Sequence, residues 1–323
     1  MRPDVTLDGA ALRANVAAFA SLGAPVAAVV KDDGYGWGAR LLARELDAVV
    51  ESYVVGDEDE LAALRPATEK PVRLLLDAAP GRLARVLALR GIPNVSSRTA
   101  LAEAIGAAQA RGPLTVRVGV LDAAGWGSIP PGDAAAFAEA MAGTGLSVEL
   151  WTHVVATERS STILDGFMAA RRAFEGAGVP VVATDVASTA SSRRGLAFDR
   201  LRVGVGLFGA RLGSSLDSCC ALRLTAPVVR TFAPGEAGWA GYGDTRVRPD
   251  VTVAVLRSGY GDGFPKNLVD GVDILSVGMQ YTARVMHEGV DVRVLIGSAD
   301  DVDTLAARSG ISAHELVTGL APR

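Results

Sequence analysis

Cysteine is nearly absent from this chain. Two occur in 323 residues, Cys219 and Cys220, side by side. A disulfide between sequence neighbours is strained, and two thiols do not make a structural zinc site. Both are expected to be buried in one strand, the usual fate of free cysteine. Histidine is as scarce: His153, His287 and His314 are the full set, and no His/Cys/Asp cluster with ligand spacing accompanies them. No metal is therefore expected. No uninterrupted run of about 20 apolar residues occurs, which argues against a membrane-spanning helix. The amino-terminal MRPDVTLDGAAL lacks the apolar stretch of a signal peptide, so a cytoplasmic protein is expected. There is no long basic block, and a net charge of −4 gives no reason to expect nucleic acid or an anionic membrane as partner.

What is present is apolar material, 49% of the residues, with 21% charged. Up to residue 222, short β-branched runs alternate with Ala/Leu/Arg-rich stretches of helical character. The runs are PVAAVV, SYVVG, VRLLL, IPNVS, TVRVGV, SVELWT, PVVATD and LRVGVGLFG. Each is short, apolar and bounded by Gly, Pro, Asp or Ser, as expected of strands buried on both faces. Between them lie segments such as ARLLARELDAVV and RTALAEAIGAAQAR. Eight strands in this alternation predict a (β/α)8 TIM-type barrel over residues 1–222. Beyond it, LTAPVVRTF, VTVAVLRSGYG, VDILSVG and DVRVLIG are β-rich and turn-separated. They predict a smaller, mostly antiparallel β domain over residues 223–323.

In such a barrel, function sits at the carboxy-terminal edge of the strands. Lys31 ends the first run, VVKDDGYGWG, and a lysine there either forms a Schiff base with an aldehyde or snorkels at the rim. The eighth strand carries Arg202, then Gly204 and Gly206. The seventh leads into the hydroxyl-rich ASTASSRRG. Glycines and hydroxyls after strands seven and eight suit a phosphate, though they also serve turns and helix caps. His153 ends the sixth strand, where a structural role competes with a catalytic one.

The segment AVVKDDGYGWGA resembles the pyridoxal phosphate (PLP) lysine motif of the alanine racemase family, a barrel followed by a β domain. THVVAT, VASTASSRRG, DRLRVGVGLFGARL, APGEAGWAGYGDTRV, RSGYGDGFPKN and VDILSVGMQY continue the resemblance in the same order along nearly the whole chain. The resemblance implies that Lys31 binds PLP covalently. Tyr35, Thr189 and the backbone of Gly204 and Val205 would hold its phosphate. His153 would lie against the ring, and Arg202 would face the ring nitrogen. It also implies two catalytic bases acting on an amino acid, Lys31 and Tyr242, the tyrosine coming from the partner of a homodimer with shared sites.

The sequence departs from the family on the substrate side. Where members usually carry a carboxylate-binding arginine in a DTGMGRLG-like segment, this chain reads DAAGWGSIP, with Ser128 in the arginine's place. Met279 is followed by Gln280 rather than aspartate, Trp37 replaces a frequent histidine, and Pro322 replaces a tyrosine near the end. Ser128 and Met279 are the expected substrate-side positions. The pattern implies a racemase or epimerase whose substrate need not be alanine. A PLP lyase on the same fold, an aldolase or decarboxylase, and a non-catalytic PLP-binding protein are the alternatives.

Overall fold

The structure is a computed structural model, and it describes residues 2–121, 127–154, 159–192, 196, 198–214, 216–241, 245–298 and 300–322. The chain forms two compact units. One comprises Val16–Gly204 with Gly213–Leu216; the other comprises Met1–Asn15, Val205–Leu212 and Asp217–Arg323. This grouping divides the chain differently from the expected boundary after residue 222. The amino-terminal strand β1 (Asp4–Leu7) lies in the second unit and is described with it.

The first unit carries eight parallel strands with helices between them. They are β2 (Val26–Val29), β3 (Ser52–Val55), β4 (Val72–Asp77), β5 (Gly91–Asn94), β6 (Leu114–Val120), β8 (Leu146–Val154), β9 (Val181–Ala187) and β10 (Leu201–Val203). The short β7 (Ser128–Ile129) pairs with the end of β6. The strand order is β10-β2-β3-β4-β5-β6-β8-β9, every neighbour parallel. Asp199 joins the two ends of that order. Its N–H donates to the Thr184 carbonyl at 3.1 Å, and its carboxylate accepts from the Thr184 N–H and hydroxyl at 2.7 Å each. All eight runs expected to be strands are strands, IPNVS included. The result is a nearly closed (β/α)8 barrel.

The strand residues alternate between an apolar layer under the helices and the barrel interior. Val116, Val118, Val148 and Leu150 pack outward against Leu101 and Ala104 of helix Arg98–Arg111 and against Phe167 and Phe174 of helix Ser160–Gly176. Burying each such large side chain contributes about 1.5–3 kcal/mol. Helix starts are set locally. The Asp57 carboxylate accepts the N–H groups of Asp59 and Glu60, and the Ser97 hydroxyl accepts that of Ala100.

The second unit is antiparallel, as expected. β1 pairs with β11 (Leu222–Thr225), which pairs with β18 (Val294–Ile296). A four-stranded sheet runs in the order β12 (Val228–Phe232), β15 (Val253–Leu256), β17 (Thr282–Val285) and β16 (Ile274–Val277). β13 (Trp239–Ala240) and β14 (Thr245–Arg246) form a two-stranded ribbon. One apolar cluster here is built on Ala240, Val247, Val253, Leu275, Ala283 and Val285, and Leu224, Leu256, Phe264, Ile296 and Leu316 are also buried.

The cysteines require a correction. They precede β11 rather than lying within a strand, and Cys219 is exposed while Cys220 is buried. The Asn15 side chain brackets the Cys219 backbone, donating to its carbonyl and accepting its N–H at 2.8 Å each. That pairing orients the segment and turns the Cys219 side chain outward. Among the described residues, no helix is long and apolar enough to cross a membrane, and no cluster of metal-ligating side chains forms.

Candidate active site

In a parallel sheet all carboxy-terminal ends meet at one edge, so register decides which residues share it. Arg202 lies opposite Ala27 and Val203 opposite Ala28, which puts Gly204 at the level of Val29, two residues before Lys31. On the other side of the seam, Val154 lies opposite Ala187, two residues before Thr189. Lys31, His153, Thr189 and Gly204 therefore come from the ends of four strands that are successive around the barrel: β2, β8, β9 and β10.

Lys31 enters an unusual turn. Asp32, Asp33, Gly34 and Tyr35 have φ of 53, 49, 66 and 60°, one turn of left-handed helix. For the three non-glycine residues this conformation costs roughly 1–2 kcal/mol each. Gly34 is there for space as well as for φ, because a Cβ would sit 2.8 Å from Leu42 Cδ1 and 3.0 Å from the Ala39 nitrogen. The turn folds Tyr35 back into the unit, where it is only 5% exposed. Its hydroxyl lies so close to Gly204 that a Cβ on that residue would fall 2.0 Å from it. A tyrosine hydroxyl, a lysine and a bare backbone thus converge on two adjacent strand ends.

Thr189 is buried in a short helical turn after β9. Ser188 and Ser191 cap that turn reciprocally, the Ser188 N–H donating to Ser191 Oγ at 3.0 Å. The Ser188 hydroxyl also donates to the Val154 carbonyl at 3.1 Å, which ties the turn to the end of β8 next to His153. His153 itself is half-buried.

Beneath this edge the barrel interior is charged. Arg117, from β6, donates to both oxygens of Asp185 at 2.9 and 3.2 Å and to the Leu74 carbonyl at 3.0 Å. Arg202 donates to the Thr152 carbonyl, and its Nε lies 3.6 Å from Asp185. Both guanidiniums flank the ring of Trp151, 5.3 and 4.9 Å from its centroid. Trp151 is wholly buried, and its indole N–H donates to Asn94 Oδ1 at 2.9 Å. A second group joins Arg73 and Arg200 to Glu149, with Glu51 at its rim.

Burial pushes Arg202 down to about 10, although Asp185 opposes the shift. Burial alone would raise the Asp185 carboxyl; Arg117 and Arg202 outweigh it and hold the group below the usual carboxylate range. Four guanidiniums face three carboxylates, and the Nε atoms of Arg117 and Arg202 are buried without a hydrogen-bond partner. This is a cationic floor under the cluster of lysine, tyrosine and hydroxyls.

Val205 begins a short helical turn grouped with the second unit. The Ser128 hydroxyl donates to the Leu121 carbonyl at 3.1 Å, beside the end of β6 with which β7 pairs in parallel. Met279 is 58% exposed in the second unit and, with Gln280, lines a cavity of about 540 Å3 there that also includes Arg257, Asp262 and Pro322. Tyr242 lies outside the described residues.

Residues 7–212 match the family profile described as alanine racemase, N-terminal domain. The chain belongs to the alanine racemase family. It is 30% identical over 352 residues to an alanine racemase of Acidiphilium cryptum, an alignment covering 99% of this chain and 97% of that one. Its fold is that of the solved alanine racemase from Acinetobacter baumannii, with TM-score 0.83 at 21% identity and coverage of 100 and 98%. The enzyme from Bartonella henselae, solved with covalently bound pyridoxal phosphate, superposes with TM-score 0.79 at 18% identity and coverage of 100 and 98%.

Membership makes this chain a PLP-dependent amino-acid racemase, and the barrel residues fit that cofactor. An aldehyde needs an amine, which Lys31 has. A phosphate needs hydroxyls and an unhindered backbone, which Tyr35, Thr189 and Gly204 present. Asp185, Trp151 and Arg117 were not singled out from the sequence, although all three line the floor of this racemase barrel. A period-two signal was available. Arg117/Gly119, Glu149/Trp151/His153 and Arg202/Gly204 are each spaced by two along an apolar strand and so share one face.

Proposed function

We propose that this protein interconverts the enantiomers or epimers of an amino acid, with Lys31 on one face of the α-carbon and Tyr242 of a partner copy on the other. The observation that carries this reading is the approach of the Tyr35 hydroxyl to the bare backbone of Gly204, one strand from Lys31. It forms a cradle for the cofactor phosphate that any larger residue at 204 would fill. When bound, PLP supplies the electron sink that makes the α-proton removable. The protein does the rest. Lys31 Nζ removes or returns a proton on its face, Tyr242 Oη serves the opposite face, and Tyr35 and Thr189 anchor the phosphate. His153 would flank the ring, and Arg202, held over Trp151, would face the ring nitrogen and keep it unprotonated.

On the substrate side, Ser128 offers no cation, and its hydroxyl already serves Leu121. A charge-assisted hydrogen bond to a carboxylate contributes about 1.5–3 kcal/mol, so its absence favours a substrate gripped in other ways, with Met279 among its contacts. The amino acid need not be alanine, although the relatives carry that name.

A homodimer is supported by the surface of the second unit. Val228, Val229, Trp239, Tyr260, Met279 and Tyr281 are all large, apolar or aromatic, and exposed. Such exposure marks a surface that meets a partner. The racemase is further proposed to work in the cytoplasm.

Purified protein with PLP in heavy water, given a panel of L- and D-amino acids, tests the function by α-proton exchange. Exchange with inversion identifies the substrate. Exchange without inversion removes Tyr242 from its assigned role. No exchange, with PLP still captured at Lys31, leaves a binding protein. Mixing inactive Lys31→Ala and Tyr242→Phe chains tests the shared site, because only a dimer contributing across chains regains activity.

A further inference from the structure

The strained turn that presents Lys31 is gripped by the side chain of Glu60. Glu60 sits in the first turn of helix Glu58–Leu64, immediately after β3. Its two carboxylate oxygens accept two different backbone N–H groups, Oε1 from Asp32 and Oε2 from Gly56, each at 2.7 Å. Asp32 is the first left-handed residue and directly follows Lys31. Gly56 directly follows β3, the strand paired to β2. One carboxylate therefore joins the neighbouring strand end to the residue beside the lysine.

The bonds inside the turn cannot do this. Gly34 N–H donates to the Val30 carbonyl at 2.9 Å, while Gly36 and Gly38 donate to Asp32 and Asp33 at 2.8 Å each. The Asp33 carboxylate accepts the Ala39 N–H at 2.8 Å. These close the turn on itself and on the next helix, whereas Glu60 ties it to the barrel sheet. Consecutive left-handed residues persist only where the surroundings over-determine them, and such strain gathers at functional sites. The position is also costly for a charge. Burial pushes the Glu60 carboxyl up, the Gly56 and Asp32 N–H groups pull it down, and the Asp57 and Asp32 carboxylates add to the upward push. Space is reserved for the contact, since a Cβ at Gly56 would lie 3.3 Å from Glu60 Oε2.

We propose that Glu60 is a positioning residue, a two-pronged clamp that holds the left-handed turn so that Lys31 and Tyr35 face the cofactor together. This rests on Lys31 being the cofactor lysine. Glu60 touches no reacting atom; it acts through the backbone of Asp32.

The test uses Glu60→Gln, in which one oxygen still accepts but the other prong becomes a donor facing an N–H. Asp57→Ala is the control, because it removes the cap of the same helix and leaves the clamp in place. PLP is titrated by absorbance, the Lys31 adduct is trapped with borohydride and located by peptide mass mapping, and amide hydrogen exchange of residues 31–37 is followed in cofactor-free protein. Glu60→Gln is expected to weaken PLP binding about ten-fold or more and to speed exchange of residues 32–36. Asp57→Ala should lower the melting temperature and leave both readouts near wild type. Unchanged PLP binding and exchange in Glu60→Gln overturns the clamp, as does an Asp57→Ala variant that reproduces both effects. If Glu60→Gln does not fold, wild-type exchange decides. Asp32 and Gly56 amides protected like strand amides support the clamp, and exchange at the rate of open loops overturns it. Absence of a Lys31 adduct in the wild type overturns the cofactor assignment together with the proposal. A wild-type adduct with an unaffected Glu60→Gln overturns the clamp alone.

Discussion

The two units spend their side chains in opposite ways. The barrel buries charge: Arg73, Arg117, Arg202, Glu149 and Asp185 all lie inside it, paired across strands. The β unit buries mainly apolar side chains, Leu256, Phe264 and Ile296 among them, and leaves Trp239, Met279 and Tyr281 on its surface. A buried ion network rarely adds net stability over an apolar core of the same shape, but removing one partner is severe. A surface of unspent aromatic and thioether groups is the reverse, cheap to alter for folding and costly for association. The difference separates a unit that buries paired charges from one that exposes part of its apolar and aromatic surface.

The largest expected effect falls in the barrel. Lys31→Ala should lower exchange by about 10²–10⁴-fold, the usual worth of a positioned base, and abolish borohydride capture of PLP. Only Lys70 and Lys266 remain as other lysines. Capture at either of them, with activity kept, would break the assignment. Asp185→Asn should cost about 3–5 kcal/mol of barrel stability, read by denaturant melts, because two guanidiniums lose a buried counter-charge.

The same pair sets an acid response. Burial would raise the carboxyls of Asp185 and Glu149, but Arg117 and Arg202 in one case and Arg73, Arg200 and Arg117 in the other hold them below the ordinary range. Carboxyls depressed in the folded state contribute stability that is fully present above their unfolded values of about 4. That contribution is lost as pH falls through the folded values. The melting temperature should therefore hold above pH 5 and drop below pH 4, with a shallower acid limb in Asp185→Asn. An identical limb would mean that other carboxylates carry the acid response.

Smaller effects sharpen the contrast. Gly204→Ala puts a methyl into the space of the Tyr35 hydroxyl and should cost about 1–3 kcal/mol, seen as weaker PLP binding more than as unfolding. Least affected in stability should be Trp239→Ser, within about 0.5 kcal/mol for the isolated fold. Light scattering should nonetheless show weaker association in the proposed homodimer. An unchanged dimer would assign that exposed tryptophan to another purpose.

Much of the barrel was legible because strands buried on both faces write themselves as continuous apolar runs. Lys31 stood out because it ends such a run. Asp185 did not, because in PVVATD it reads as the residue that stops a strand. Glu60 was equally hidden, since nothing along the chain relates a glutamate at a helix start to a turn about 28 residues earlier. The cysteines misled for a related reason: their burial was inferred from residue type, while the Asn15 bracket turns Cys219 outward.

By itself the sequence determined the order of strands and helices and the family, and it singled out Lys31 as a candidate, because these depend on local pattern and on motifs read along the chain. Tertiary structure alone decided which charges meet. Register brings Arg117, Asp185 and Arg202 from three strands around one tryptophan, and a helix start far from Lys31 in sequence places Glu60 against the turn that carries it. Hydrogen bonds and ion pairs act through a few ångströms of space, and the fold, rather than the order of residues, sets those distances.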